Sequence, residues 1–526
     1  MPILRANAAR APDPAGRCNF SVRRDVKHRP PGDSGTMTLS TGMASMRRFV
    51  LLALWLAPLF AYAEPPADQW FTVLLDGRKI GAFETTRVVK NGHVTTSQTL
   101  DLSLERAGTT IALTSKETTE ETVDGKPLSF ASVSKLAGGE TVIDGKVNGS
   151  TIAVRTNTGG SAQQREIPWP AGALMPEGLR LAGLKRGLAP GTEYSAIAFQ
   201  PSSLDAAEIR THVGSPEPVD LPAGEETLTA VEQTILLGGA PVKSKLWVDG
   251  EQIVQKLTMP VVGVELVLLA CDKACATAPN QGTDIFDRTL MLSPRPLARQ
   301  ELLRGMRYTL APSDGGDPLK LPDTGEQRVK PEGDALIVEI TPAPRAGASD
   351  ETQPVPADYE PNDWLQSTAP EVKALAKRAA GDTKNPYEQM KTLETFVRGY
   401  IKNKTLGVGY ASALEVVKKP EGDCTEHAVL LAALGRSLGI ATRVVDGLAY
   451  APDFAGKDRV FVPHAWVQAW IDGRWQSFDA ALPGFDAGHI ALSIGDGDPW
   501  RFYAGLDMLG RLTLRHAVPL PAEAIH

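Results

Sequence analysis

From Trp70 to about residue 280, apolar and polar residues alternate in short runs rich in Val, Thr, Ile and Leu, as in WFTVLLDGRKIGAF and KLWVDGEQIVQKL. Alternation of period two turns one face of each run toward a core and the other toward solvent, the pattern of β-strands. Asp-Gly or Asn-Gly dipeptides punctuate the runs at 76–77, 91–92, 124–125, 144–145, 148–149 and 249–250. They supply the positive φ angles that two-residue hairpin turns need, so residues 64–280 are predicted to form a β-rich domain built from hairpins. Residues 281–341 read as a smaller β unit ending in DALIVEITPAP. Five prolines between 342 and 361, with almost no large apolar residues, read as an extended linker.

Beyond residue 361 the period lengthens. In NPYEQMKTLETFVRGYIKNK, Asn385 is a cap and Pro386 suits the first helical position, while Met390, Leu393, Phe396, Val397, Tyr400 and Ile401 fall on one helical face. EGDCTEHAVLLAALGRSLGI is apolar all round from Ala428 to Leu434 and closes at Gly439, which predicts a helix buried on most sides, with Asp423 as its cap. FVPHAWVQAWIDGRWQSFDAAL alternates on both sides of Asp472-Gly473. A two-residue turn there pairs Ile471 with Arg474, Trp470 with Trp475, Gln468 with Ser477, Trp466 with Asp479 and His464 with Ala481. His464 and Asp479 then become diagonal neighbours on one face, and Ala465, Val467, Ala469, Ile471 and Phe478 form the opposite, apolar face. The chain is therefore expected to be α+β, with a mixed domain over 362–526.

The N-terminus adds a compartment. Arg47-Arg48, an apolar run from Phe49 to Phe60 and Ala61-Tyr62-Ala63 have the layout of a secretory signal, and the run is too short to span a bilayer. Residues 1–42 do not fit a signal peptide, and Met43 or Met46 is the expected start, so 1–63 reads as a leader plus signal peptide and Glu64 as the mature terminus. Export to the periplasm follows, with no membrane association after cleavage. Residues 1–63 hold nine Lys/Arg and three Asp/Glu, so the −7 of the whole chain becomes −13 after cleavage, a charge with no attraction for nucleic acid. Cys18 leaves with the leader. Cys271 and Cys275, four residues apart, are expected to oxidise together in that compartment, and Cys424 is left over.

That leftover thiol sits in the first turn of its helix. There the backbone N–H groups and the helix dipole favour a thiolate, and the same N–H groups suit an oxyanion. With a histidine as base and a carboxylate to orient it, Cys424, His464 and Asp479 make the set a cysteine nucleophile needs. GDCTEHAVLLAALGRSLGIATRVVDG, then HAW, then GRWQSFDA resemble the transglutaminase-like superfamily over about 365–490, through Gly422, Cys424, Gly447, His464-Ala465-Trp466, Gly473, Trp475 and Asp479. The resemblance implies a papain-like fold with Cys424 as nucleophile, His464 as general base and acid and Asp479 as orienting carboxylate. It further implies cleavage or transfer of amide acyl groups through a thioester, with no metal or other cofactor. Substrates would be proteins or peptides bearing amide or glutamine groups, cell-wall peptides among them. Gly422-Asp423-Cys424-Thr425 departs from the G-Q-C-W of protein-crosslinking members, which leaves hydrolysis as open as amine transfer. Trp466 and Trp475 are candidates for a substrate wall. One rival reading binds zinc through Cys424, His427 and His464; another is a catalytically silent binding or structural envelope protein. His489 is a candidate for a supporting group, and Asp486 a weaker alternative to Asp479.

Overall fold

The computed structural model describes residues 68–521, apart from 107–108, 137–138, 238–239, 262–263, 285–288, 314–319, 343–351, 406–409 and 498–511. The leader and signal segment lie outside the described residues. Among the described residues, no helix is long and apolar enough to cross a membrane.

Fifteen strands, from β1 (Asp68–Leu75) to β15 (Val264–Cys271), form one sheet. The chain meanders outward from β1, crosses to the far edge and meanders back until β15 pairs with β1, Trp70 opposite Cys271. Apolar faces of both halves, Phe71, Val73 and Phe83 with Ile209, Leu246 and Leu257, share a core with Leu179 of helix α1 (Pro176–Arg186). The buried carboxylate of Glu121 receives the N–H groups of Glu177 and Gly178 at 2.7 and 3.0 Å, so an acceptor meets the unpaired donors at the start of α1. Cys271 closes β15, and Cys275 lies in the short helix α2 (Lys273–Ala276) that follows.

The turn dipeptides behave as expected at Asp76-Gly77 and Asn91-Gly92, where both residues have positive φ. Asp144-Gly145 does not turn. It lies inside the strand Gly139–Asn148, where the Phe130 ring covers the glycine so closely that a Cβ would come within 2.0 Å of it. A glycine in a strand can mark close packing as well as a bend.

After the short helix α3 (Arg299–Arg304), strands β17 (Met306–Pro312), β18 (Gln327–Glu332) and β19 (Ala335–Ile340) pair. They do not form a self-contained unit, because β26 (Leu512–Pro519), near the end of the chain, completes their sheet beside β17. Their apolar residues Tyr308, Leu310 and Val338 share one core with Leu448, Phe461 and Ile490 of the next sheet. The stretch read as a linker is partly docked: the Trp475 indole donates to Thr352 O and Arg436 Nη1 donates to Glu360 O.

The mixed region packs four helices, α4 (Pro370–Ala380), α5 (Pro386–Tyr400), α6 (Ala413–Lys418) and α7 (Cys424–Ser437), against a sheet. That sheet runs β16 (Met291–Leu292), β23 (Lys457–Ile471), β22 (Thr442–Phe454) and β25 (His489–Gly495), with β24 (Arg474–Phe478) also on β23. Asn385 caps α5 by accepting from Glu388 N–H, with Pro386 at its first position. Helix α7 is buried along nearly its whole length, against Ala465, Val467, Ala469, Ile471 and Phe478, the apolar face expected of the hairpin. Hairpin tips of the large sheet rest on this region: Lys418 Nζ donates to Gly159 O, and Thr156 Oγ1 donates to Asp363.

Candidate active site

Helix α7 begins where the sequence places it. Asp423 accepts from Thr425 N–H at 3.0 Å, and Glu426 reaches back to Asp423 N–H at 2.8 Å, a reciprocal cap that satisfies two donors of the first turn. Cys424 is the first helical residue and is buried, with 8 % of its surface exposed. The other carboxylate oxygen of Glu426 accepts from Ala411 N–H at 2.8 Å, tying the preceding loop to the cysteine turn. Burial and the nearby Asp423 carboxylate push Glu426 up to about 8, although both backbone N–H groups favour its charged form.

The hairpin turns at Asp472-Gly473, both with positive φ, and its ladder runs from Ile471↔Arg474 to Val467↔Phe478 in the expected register. Asp479 then leaves the ladder. Its N–H donates to Glu394 Oε1 at 2.9 Å and its carbonyl accepts from Arg398 Nη2 at 2.8 Å, both from α5. Its side chain turns to His464, whose Nε2 lies 2.8 Å from Oδ2. An ionised carboxylate only accepts, so Nε2 carries the proton and Nδ1 is left with the lone pair of a base. Burial alone would raise Asp479, but the two imidazoles on its carboxylate hold it well below the usual range.

The second imidazole is His489, the first residue of β25, with Nε2 3.0 Å from the same Oδ2. Its Nδ1 faces Asp486, at 3.1 Å from the carbonyl and 3.2 Å from the carboxylate. Asp486 N–H is also near, at 3.3 Å, but the two oxygens are closer. Burial opposes a charge on His489, yet hydrogen bonds to Asp479 and Asp486 prevail and push it up to about 9. Asp486 therefore stands one step behind Asp479 and does not replace it.

His427 Nδ1 donates to Asp423 O at 2.5 Å, which leaves its buried Nε2 as an acceptor with no partner among the described residues. Burial lowers His427. Cys424, His427 and His464, the set a zinc site would need, are not drawn together as ligands. The His/Cys/Asp/Glu group found within ligand range among the described residues is His464, Asp479 and His489. The hydrogen bonds to a shared carboxylate account for its closeness.

Trp466 and Trp475 do not offer a substrate wall, since each is only 2 % exposed. Trp466 donates to Ser477 Oγ and sets its ring edge-on to His489, at 5.2 Å between centroids. Trp475 lies under the Arg443 guanidinium at 4.0 Å. Both stiffen the sheet behind the histidines. Sequence reasoning missed Glu394 and Glu326. Glu394 left a signal, a lone acid on the apolar face between Met390 and Val397. Glu326, which accepts from Ser477 N–H and Oγ–H, sits in a distant loop and left none.

The shifts of His489 and Glu426 predict how stability follows pH. His489 is raised, so its contribution is complete below its ordinary value of 6.5 and is lost as pH rises through about 9. Glu426 is also raised, and its contribution, complete below 4.5, is lost as pH rises through about 8. The unfolding free energy drawn from urea titrations should therefore fall between pH 6.5 and 9, by an amount on the order of 5 kcal/mol. A stability that stays level or climbs over that interval would contradict the assignment of both groups.

A sequence-family model described as the transglutaminase-like superfamily matches residues 373–480. Curated protein sequences gave no significant match. Among solved structures, a candidate cysteine protease from Cytophaga hutchinsonii is 15 % identical, over 42 % of this chain and 84 % of that one, with a TM-score of 0.25. A β-barrel-like protein from Brucella abortus is 15 % identical over 39 % and 95 %, with a TM-score of 0.31. A candidate protease from Parabacteroides distasonis is 12 % identical over 75 % and 70 %, with a TM-score of 0.19. Similarities this weak carry no functional assignment. The family match spans the helix that Cys424 opens and the strand that carries His464, and it ends one residue past Asp479; residues 373–480 match the transglutaminase-like superfamily.

Proposed function

We propose that the protein is an exported thiol enzyme that cleaves or transfers amide acyl groups through a thioester on Cys424. The observation that carries this reading is the buried His464–Asp479 pair at 2.8 Å, with His464 on the strand packed against the helix that Cys424 opens. His464 Nδ1 takes the thiol proton, and the thiolate attacks the amide carbonyl. As the C–N bond breaks, His464 returns that proton to the departing amine. Water or a second amine, deprotonated by His464, then attacks the thioester and frees the thiol. Asp479 orients the ring throughout and stabilises its cationic form.

Mass spectrometry of glutamine-containing and wall-peptide substrates, with and without an added amine, tests the reaction. Conversion of the amide to a carboxylic acid indicates hydrolysis, and a product that carries the added amine in place of the departed one indicates transfer. Unchanged substrates under every condition would favour a silent binding protein. Terminal sequencing of protein from the native host should find Glu64 first, and an intact leader in a cytosolic pool would overturn export. Peptide mapping without reductant should join Cys271 to Cys275. A bridge involving Cys424 in active protein would count against the nucleophile.

A further inference from the structure

Taking Cys424, His464 and Asp479 as the acyl-transfer site, we propose that His489 is a positioning residue, an imidazolium clamped between Asp479 and Asp486 that holds Asp479 toward His464. Both His489 and Asp486 lie beyond residue 480, where the family match ends.

The hydrogen bonds carry the argument. Asp479 Oδ2 receives both imidazoles, at 2.8 and 3.0 Å, while Oδ1 receives Ala481 N–H at 2.7 Å and Leu482 N–H at 3.1 Å. Four donors fix the plane of the carboxylate, and with it the ring it orients. On His489, Nε2 must donate to Asp479, and a lone pair on Nδ1 could accept from Asp486 N–H at 3.3 Å but would repel the two closer oxygens of Asp486, at 3.1 and 3.2 Å. Protonation of Nδ1 turns that repulsion into hydrogen bonds. The ring cannot swing away, because Trp466 and Phe485 pack on it with centroids at 5.2 and 5.0 Å and its side chain is 2 % exposed. The titratable groups that face it are His464 on β23, Asp479 after β24 and Asp486 on its own loop. Tyr308 on β17 stands behind Asp486, with its hydroxyl donating to Ala487 O.

The charges give the clamp a purpose. Two carboxylates and one imidazolium sum to −1 while His464 is neutral, so His464 discharges the cluster by taking up the thiol proton. Without the charge of His489 the two carboxylates would repel, and without its ring Asp479 would also lose one of its four anchors.

The test uses the mature protein, iodoacetamide as the probe of Cys424, and the variants His489→Gln and His489→Phe. Glutamine keeps a donor for Asp479 but loses the charge; phenylalanine loses both. In wild type, alkylation should have a midpoint well below that of an ordinary thiol. His489→Gln should move the midpoint up by about one pH unit and slow alkylation at pH 6 about tenfold, with a larger effect for phenylalanine. Histidine ring 15N spectra at pH 7.5 should show a doubly protonated ring, distinct from that of His464 in its ion pair with the thiolate, that vanishes in His489→Gln, a readout that holds even if His489→Phe does not fold. A wild-type profile that already matches an ordinary thiol overturns the catalytic reading and this proposal with it. A depressed wild-type midpoint left in place by His489→Gln, or a neutral His489 ring, overturns the positioning role alone.

Discussion

Iodoacetamide will alkylate Cys424 rapidly at pH 6, where an ordinary thiol is less than about 1 % thiolate, and His464→Ala will move the profile up toward pH 8.5. Two groups are lined up to favour the thiolate: the positive end of the α7 dipole, where Cys424 is the first helical residue, and an imidazole whose proton-bearing Nε2 is held by Asp479. Cys424→Ala should abolish turnover of any amide substrate, by more than about a thousandfold, as should His464→Ala. Folding should survive Cys424→Ala, because a methyl at a helix start removes little packing. Asp479→Asn should be milder, because the base survives and loses only its orientation. Turnover retained in Cys424→Ala would end the thioester mechanism outright. Activity killed by a metal chelator, together with slow alkylation, would revive the zinc reading.

Gly447→Ala is expected to be among the most damaging single-methyl additions, costing at least about 2–3 kcal/mol of stability. Gly447 lies on β22, opposite His464 on β23 and Ala491 on β25, where the β22–β25 register shifts. A Cβ at this position would come within 2.1 Å of Ile490 O and 2.8 Å of the Trp466 ring. Backbone cannot yield as a flexible side chain can, and the Trp466 ring is wedged against His489. The methyl should therefore loosen both histidines as well as the sheet, and low-pH alkylation of Cys424 should fall with the unfolding midpoint. Gly473→Ala is the control. It meets nothing within 4 Å and carries only the penalty of φ +78°, about 1 kcal/mol. Equal midpoints for the two variants would mean that the close packing over Gly447 is not what holds this part of the sheet.

Local pattern determined much of this protein. Asn385 with Pro386 started α5, Asp423 started α7, and the Asp472-Gly473 turn set the register to Val467↔Phe478. From that register, the meeting of His464 and Asp479 could be counted. These features depend on residues a few positions apart, whose period and turn chemistry act before any distant contact forms. The tertiary structure decided what lies across long separations. Asp479 leaves its ladder because Glu394 and Arg398, more than eighty residues earlier, bind its backbone. His489 reaches the same carboxylate because β25 pairs with the far side of β22, a strand order that no local period encodes. Trp466 and Trp475 look alike in the alternation whether they face a cleft or a core, and neighbouring segments buried them. The strands from Met306 to Ile340 borrow β26 from the other end of the mixed region, since an exposed strand edge has no say in which distant segment will cover it.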